Sequence, residues 1–289
     1  MKAIIFGANG QDGFYLTQLL ALKNIEVIGV SRSGDFLHTD ISDFTAVSEL
    51  VKIHLPNYIF HLAANSTTNH NALLENHATI ETGTLNILEA VKLYSPNTKV
   101  FISGSGLQFK NNNAPIKESD EFEGRDPYSV SRIQSVYAAR YFRTLGLHVY
   151  VGYFFNHDSP RRTERHMNQK IAKAVLRIAK GSSEKIEIGD LEAVKEYTFA
   201  GDVVNGIWLL VNQNNIFEAN ISSGKGHSVL DWVKICFDIV GLNYHDYIVH
   251  NNNFKSAYKQ LVSDATIIHS LGFVTEINFE SLAKMMMLE

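Results

Sequence analysis

The first 30 residues predict a strand, a glycine-rich turn, a helix and a second strand, and this order constrains the fold more than any other part of the chain. The apolar run at residues 3–6 has the character of a buried parallel strand. Glycines stand at positions 7, 10 and 13, a helical pattern of apolar residues follows at once, and residues 26–30 predict the second strand. In such a unit, glycines at this spacing bind a dinucleotide. We therefore expect a dinucleotide-binding domain at the start of the chain.

Each glycine of this turn has its own task. Gly7 permits the tight turn, Gly10 lets the backbone approach a pyrophosphate, and Gly13 lets the helix pack closely on the sheet. The free amides and the positive dipole at the start of the helix then hold the phosphates. The alternative is a purely structural glycine turn, but its position directly after the first strand favours a cofactor. The residues expected to contact the cofactor at this turn are Gly7, Asn9, Gly10, Gln11, Asp12 and Gly13.

The end of the second strand indicates which cofactor is bound. Sites that prefer NAD usually carry an acidic residue there, which binds the ribose 2′-hydroxyl. Here residues 30–33 read Val-Ser-Arg-Ser, and the Arg32 guanidinium suits a 2′-phosphate through charge-assisted hydrogen bonds. We therefore expect NADP, with NAD as the alternative. The simpler interpretation of Arg32 is a solvated loop charge.

Composition excludes several classes of function. The 289 residues, with 45% hydrophobic and 19% charged residues, suit one large globular domain or two closely packed ones. The net charge of −4 does not favour binding to nucleic acid or to an anionic membrane. No apolar run is long enough to span a bilayer. Cys236 is the single cysteine, so no internal disulfide can form, which suits a reducing compartment. No signal peptide is expected, because the first strand begins almost at residue 1. We therefore expect a cytoplasmic protein. The 12 histidines show no metal-ligand spacing, and no metal site is expected.

Strands and helices alternate through the first half of the chain, which predicts an α/β Rossmann-type fold, a doubly wound parallel sheet with helices on both faces. The later predicted strands are at residues 58–62, 100–103, 148–154, 185–188 and 217–221. The later predicted helices are at residues 44–54 (capped by Ser42 or Asp43), 75–93, 128–145, 165–180, 202–212, 229–241, 264–271 and 279–287. We expect residues 1–154 to form the dinucleotide-binding domain and residues 155–289 a smaller mixed α/β substrate-binding region, with residues 198–214 returning to the first domain.

Several segments together resemble one family. They are Gly-Ala-Asn-Gly-Gln-Asp-Gly at 7–13, His-Leu-Ala-Ala at 61–64, Tyr-Ser-Val-Ser-Arg at 128–132, Phe-Asn-His-Asp-Ser-Pro-Arg-Arg at 155–162 and Gly-Asp-Leu-Glu-Ala at 189–193. They are similar to the extended short-chain dehydrogenases/reductases, and within these to the GDP-mannose 4,6-dehydratases and the related GDP-4-keto-6-deoxymannose reductases. The resemblance covers nearly the whole chain. It also implies cofactor contacts from Asp40, Ile41, Leu62, Ala63, Ala64, Tyr128 and Arg132.

Enzymes of this family move hydride between a nicotinamide and a sugar carbon, while a tyrosine handles the proton of the sugar hydroxyl. The ordinary tyrosine pKa is about 10, and a nearby cation makes the phenolate accessible. Tyr128 and Arg132 are four residues apart on a predicted helix and therefore share one face. The family pattern has lysine where this chain has Arg132, which keeps the charge but not the ability to share a proton. The alternative is a helix-start aromatic beside a surface charge.

Larger departures follow the predicted strand at residues 100–103. The family places a Ser or Thr there to bind the sugar oxygen, and the dehydratases add a Glu that helps to eliminate water. In this chain Gly104 and Gly106 stand at those two positions. Ser103 or Ser105 could supply the hydroxyl, because a loop flanked by glycines is permissive. Nothing nearby replaces the Glu, so 4,6-dehydration is disfavoured.

The residues expected to bind the nucleotide part of the substrate match the family pattern only in part. The residues that match the family's substrate-binding segments are Asn156, His157, Arg161, Lys170 and Lys195, and Arg162 also suits a phosphate. Lys195 stands where the family usually has Arg. The family's Arg and Glu that bind phosphate and ribose are missing at residues 254–257, and Lys255 or Lys259 is the expected substitute. The short link at residues 32–40 lacks the basic segment that joins dehydratase tetramers, so a homodimer through the helices at 75–93 and 128–145 is expected.

Three hypotheses follow. The first is an NADP-dependent enzyme that reduces or epimerises a nucleotide sugar, expected to be GDP-linked, with Tyr128 as acid/base, Arg132 as electrostatic support and Ser103 or Ser105 on the sugar oxygen. The second is a catalytically weak or inactive relative that binds cofactor or sugar nucleotide. The third is a dehydratase with a relocated acid.

Overall fold

The computed structural model describes residues 1–251 and 256–288. The strands are β1 (Lys2–Phe6), β2 (Glu26–Val30), β3 (Tyr58–His61), β4 (Lys99–Ser105), β5 (His148–Phe154), β6 (His157–Asp158), β7 (Ile186–Ile188), β8 (Val194–Glu196), β9 (Thr198–Phe199), β10 (Glu218–Ile221), β11 (Gly226–Ser228), β12 (Ile248–His250) and β13 (Gln260–Leu261). The α-helices are α1 (Gln11–Leu22), α2 (Phe44–His54), α3 (Leu73–Asn76), α4 (Gly83–Tyr94), α5 (Pro127–Thr144), α6 (Met167–Ala179), α7 (Ala200–Val211), α8 (Val229–Val240), α9 (Thr266–Ser270) and α10 (Phe279–Met286).

Six parallel strands form the main sheet in the order β10-β5-β4-β3-β1-β2. From β1 the chain moves outward to β2 and then crosses to β3 on the other side of β1. The strand order therefore reverses between β1 and β3, and the carboxyl ends of strands at such a point leave a crevice for a ligand. The predicted doubly wound parallel sheet is confirmed.

Alternate residues of the strands pack into two cores on opposite faces of this sheet, because successive side chains of a strand point to opposite sides. Ile4 of β1 belongs to the core that α2, α4 and α5 cover. Ile5 belongs to the core that α1 and α7 cover, and α7 also packs against α1. Burial on both faces explains why the central strands read as continuous apolar runs.

A third core lies in the second half of the chain, where α6, α8 and α10 surround the fully buried Trp232. The same half of the chain contains short strands, and six of them were not predicted: β6, β8, β9, β11, β12 and β13. They have two or three residues each and pair outside the main sheet, so they are too short to show a period in the sequence. The division into domains at residue 154 stays a prediction.

Two boundaries near the cleft differ from the expectation, and one alternative is decided. The predicted helix at 75–93 is a continuous helical path through α3, a π-helical segment (His77–Thr82) and α4. Strand β4 extends to Ser105 because it pairs with β5 along its whole length. Asp43, not Ser42, caps α2 by accepting from two backbone amides. In the part of the chain that the structure describes, no helix is both long and apolar enough to cross a bilayer.

Candidate cofactor and active site

Two adjoining cavities open at the carboxyl ends of the strands, one on each side of the glycine turn. The Tyr128 cavity has a volume of about 320 Å³, and the Arg32 cavity about 400 Å³. Both are lined by Gly7, Gly10, Leu62 and Ala64. A ligand that crosses the glycine turn would therefore place one end in each cavity, which is the shape requirement of a dinucleotide.

The glycine turn has no room for side chains. Gly7 has φ +91°, and a Cβ added there would lie 2.7 Å from the backbone nitrogen of Ala63. A Cβ at Gly13 would collide with the carbonyl oxygen of Gly7. Gly10 is the N-cap of α1, and no side chain caps that helix. The first amides of α1 are therefore left for a ligand, and a pyrophosphate fits this cradle.

The Arg32 cavity brings together predicted cofactor residues from separate parts of the chain. Its lining includes the predicted Asn9, Arg32, Asp40, Ile41 and Ala63. Hydrogen bonds from the amide and hydroxyl of Ser42 lower the pKa of Asp40. Glu75 also lines this cavity, and its one signal in the sequence is its place at the start of a predicted helix.

Tyr128 and Arg132 both line the Tyr128 cavity, as their spacing on one helix predicts. Asp126 caps α5 and thereby sets the first turn that carries Tyr128. The Arg132 guanidinium carbon lies 5.1 Å from the centre of the Tyr128 ring. A guanidinium at this distance from the centre of the ring is within the range of a cation–π contact.

The Arg132 side chain is fixed by hydrogen bonds to Ser103 of β4. This side chain is buried, and Nη1 donates to the carbonyl oxygen of Ser103 and, over 2.7 Å, to Ser103 Oγ. The Ser103 hydroxyl in turn donates to the carbonyl of His61 over 2.9 Å. Burial, aided by the Arg132 charge, lowers the pKa of His61 to about 3, so the imidazole is neutral. Ser103 thus lies in the cavity wall with its hydroxyl already engaged.

Aromatic rings fill the space beside the two glycines that follow Ser103. A Cβ at Gly104 would lie 2.6 Å from the Tyr153 ring, and a Cβ at Gly106 would lie 2.8 Å from the Phe155 ring. Tyr153 is fully buried, and its hydroxyl donates to Glu218 over 2.6 Å. Ser105 lines the cavity between these glycines, and its Oγ accepts from the Leu107 amide.

Asp12 is the one carboxylate among the described residues that line the Tyr128 cavity. It lies 2.9 Å from Nε2 of His157, whose Nδ1 faces the carbonyl of Phe155 at 2.8 Å. Burial opposes ionisation of Asp12, but His157 and Arg162 outweigh it and lower the pKa of Asp12 to about 2. Burial also lowers the pKa of His157, yet Asp12 outweighs this, so the net shift is upward. Both imidazole nitrogens face acceptors, which suits a protonated ring.

The far end of the Tyr128 cavity holds the predicted Asn156, together with Gln11, His157 and Arg162. The Asn156 side-chain oxygen is buried and, within the described part of the chain, has no hydrogen-bond partner. A ligand donor could satisfy it. His166 and Tyr258 complete this end. Both are additions to the predicted set, and Tyr258 follows no recognisable motif.

Three predicted substrate residues lie outside the cavity lining. Arg161 lies over the Phe14 ring at 4.0 Å, and Lys170 is exposed on α6. Lys195 is buried and donates to Asn168 Oδ1 over 2.8 Å, and burial lowers its pKa to about 8. Lys259 is exposed and also outside the lining, whereas Lys255 lies outside the described residues. Among residues 1–251 and 256–288, no group of three or more His, Cys, Asp or Glu side chains could hold a metal ion.

Comparison with known proteins agrees with this architecture. The family model described as GDP-mannose 4,6 dehydratase matches residues 4–286. GDP-mannose 4,6 dehydratase 2 of Arabidopsis thaliana is 31% identical over 317 aligned residues, which cover 98% of this chain and 85% of that protein.

Two solved structures share the fold. RMD from Pseudomonas aeruginosa complexed with NADPH has a TM-score of 0.88 at 20% identity, covering 99% of this chain and 97% of that one. The UDP-glucose 4-epimerase of Thermus thermophilus in complex with NAD has a TM-score of 0.84 at 17% identity, covering 99% and 98%. The first of these neighbours holds NADPH and the second holds NAD.

Proposed function

Because the chain belongs to the GDP-mannose 4,6-dehydratase family of nucleotide-sugar enzymes, we propose that it is an NADP-dependent oxidoreductase that reduces or epimerises a GDP-linked hexose. The observation that carries this proposal is the meeting of Tyr128, Arg132 and the glycine turn on the wall of one cavity. A hydride reaction needs a cofactor cradle and a proton donor side by side. Both are present here.

The residues present fit a dinucleotide. Gly7, Gly10 and Gly13 would hold its pyrophosphate, and Arg32 its 2′-phosphate. When bound, the nicotinamide supplies or accepts the hydride. The protein's own part is to position the sugar and to move one proton.

Tyr128 is the group that moves the proton in this proposal. When a sugar ketone is reduced, its carbon gains a hydride and its oxygen gains the proton of the Tyr128 hydroxyl, which water later replaces. The Arg132 charge next to the ring stabilises the phenolate in between. The hydroxyl of Ser105 is the better placed of the two serines to donate to the sugar oxygen, because Ser103 already donates to His61.

Water elimination is the less supported chemistry. It needs an acid or base beside the sugar, and the dehydratases use a Glu for this purpose. In this chain Gly106 stands at the position of that Glu, and the Phe155 ring packs against Gly106. Asp12 is paired with His157 and stays ionised because its pKa is about 2. As an ionised carboxylate of such low pKa, Asp12 cannot donate a proton and is a weak base, and His157 already occupies it.

A second candidate, a binding protein with weak or no catalysis, is favoured by one observation. Arg132 hydrogen-bonds Ser103, whereas the family's lysine at this position serves the cofactor and the tyrosine. If Arg132 keeps those bonds in the complex, it offers only its charge to the reaction. Cofactor would then bind without turnover.

Turnover assays test the proposal. NADPH oxidation is followed with GDP-4-keto-6-deoxymannose, and the sugar nucleotide is analysed by mass spectrometry. We expect a gain of two mass units in the substrate, and Tyr128→Phe to lower the rate by about 100-fold or more without changing NADPH affinity. Tyr137→Phe, an exposed tyrosine of the same helix, is the matched control. Binding of NADPH with no change in mass and no new epimer in the NMR spectrum of any GDP-sugar would favour the binding protein. Loss of 18 mass units from GDP-mannose would favour the dehydratase.

We also propose a homodimer through α4 and α5. The residues Val130, Tyr137 and Tyr141 form an exposed stripe along α5, and Leu85 is exposed on the neighbouring α4. Such a stripe on adjacent helices suits an isologous interface, in which both copies use the same surface.

A further inference from the structure

Arg32 does not stand alone at the mouth of the Arg32 cavity. Its Nη2 lies 2.9 Å from Oε1 of Glu75, which comes from α3 on the other side of the cavity. The second oxygen of Glu75 accepts from Asn65 Nδ2 over 2.7 Å. These hydrogen bonds from Arg32 and Asn65 lower the pKa of Glu75.

We propose that Glu75 sets cofactor preference by competing with the 2′-phosphate of NADP for Arg32. The proposal rests on the proposed function, since it concerns the cofactor of that site. A phosphate that approaches Arg32 must share the guanidinium with the Glu75 carboxylate, and the two anions repel each other. NADH carries a hydroxyl at that position and meets no such penalty.

The charges around Arg32 support this competition. Among the described residues that line the Arg32 cavity, Arg32 is the one side chain with a permanent positive charge, while Asp40 and Glu75 are both acidic. Asp40 is hydrogen-bonded to Ser42, so Glu75 is the carboxylate that pairs directly with Arg32. The mouth of this cavity therefore carries a net negative charge, which lowers the preference for NADPH that Arg32 alone would give.

The test is a fluorescence titration of NADPH and of NADH against the native protein and Glu75→Gln. The Gln variant removes the charge but keeps an oxygen for Asn65. We expect NADPH to bind about threefold to tenfold more tightly to Glu75→Gln, and NADH affinity to change by less than about twofold. The gain should shrink at high salt, because exposed charges are screened.

Two controls sharpen the result. The first is Glu89→Gln, which makes the same change in net charge on the neighbouring α4. Glu89 pairs with Lys92 at 3.0 Å and lies outside the cavity lining. This variant should leave the affinities for NADPH and NADH unchanged. Arg32→Ala should weaken NADPH and remove the effect of Glu75→Gln in the double variant.

Each other outcome has a definite meaning. Weaker NADPH binding by Glu75→Gln would show that Glu75 only positions Arg32, and weaker NADH binding would show that it accepts a ribose hydroxyl. Both results overturn the inference, as does an unchanged ratio of the two affinities, while the proposed function survives all three. If the folded native protein bound neither nucleotide, the proposed function would fall and this inference with it.

Discussion

At the scale of single residues, the site depends on glycines, which leave space, and on side chains that are already hydrogen-bonded within the protein. Gly7 and Gly13 are in contact with backbone atoms on the side where a Cβ would stand, so the cofactor turn tolerates no larger residue. Ser103 lies between His61 and Arg132 and engages both. In the proposed reaction the proton transfer is therefore assigned to Tyr128, for which the structure describes no competing hydrogen bond among the residues around it.

Gly13→Ala is expected to weaken NADPH binding by more than about tenfold, because the new methyl group collides with the carbonyl of Gly7 and moves α1 away from the turn. Fluorescence titration measures the affinity, and thermal unfolding measures the accompanying loss of stability. Gln18→Ala on the exposed side of the same helix should change neither. An unchanged affinity in Gly13→Ala would mean that the turn does not hold the pyrophosphate.

The Asp12–His157 pair predicts a defined pH dependence of stability. The pKa of Asp12 falls from 3.8 to about 2 on folding, which corresponds to about 2 kcal/mol that is present above pH 4 and lost as the pH falls through about 2. The pKa of His157 is raised, so its contribution is complete below about pH 6.5 and is lost as the pH rises through the higher folded value. The free energy of unfolding should be largest between about pH 4 and pH 6.5.

Denaturant unfolding across the pH range checks this. His157→Gln should flatten the profile on both sides, because it removes the partner of Asp12. His148→Gln, an exposed histidine at the start of β5, serves as the control and should keep the native profile. A native profile in His157→Gln would contradict the ion pair.

At the scale of elements, the ends of β4 and β5 explain why this site differs from the family pattern. The two strands run parallel with Gly104 opposite Tyr153 and Ser105 opposite Phe154. The space that a side chain at Gly104 would need is filled by the Tyr153 ring of β5. The space beside Gly106, just after β4, is filled by the ring of Phe155, just after β5. Tyr153 is anchored by Glu218, which also pairs with Arg140 and Arg143 of α5. The substitution is therefore built into the packing of four elements, β4, β5, β10 and α5.

Gly106→Glu is expected to lower the free energy of unfolding by about 1–3 kcal/mol, because the new side chain meets the Phe155 ring. The variant should not dehydrate GDP-mannose. Adding Phe155→Ala should cost less than the sum of the two single changes, since the smaller residue makes room for the Glu. Denaturant unfolding of all four proteins gives this coupling. Additive costs would show that Gly106 and Phe155 do not compete for one space.

At the scale of the whole molecule, the cleft at the reversal of strand order and the exposed stripe on α5 lie on different surfaces. The cleft uses the carboxyl ends of the strands, whereas the stripe uses the outer side of a helix that covers the sheet. Assembly through the stripe would therefore leave both cavities open. The same helix carries Tyr128 on its inner side, so assembly and catalysis would share α5.

Replacing both Tyr137 and Tyr141 by Glu is expected to convert a dimer into a monomer, because four buried charges would meet at a twofold interface. Light scattering coupled to size-exclusion chromatography measures the mass. Leu22→Glu, at an 83% exposed leucine of α1, is the control and should leave the mass unchanged. A native protein that elutes as a monomer at high concentration would contradict the proposed assembly.

The amino-acid sequence by itself determined the features that depend on neighbours along the chain. These are the glycine turn, the alternation of strands and helices, and the common face of Tyr128 and Arg132, because turn geometry and helical period act over a few residues. Only the tertiary structure decided that Ser103 bonds Arg132, that Tyr153 packs against Gly104 and that Glu75 pairs with Arg32. Such contacts join segments far apart in the chain, and packing selects them among many arrangements that the local pattern allows equally well.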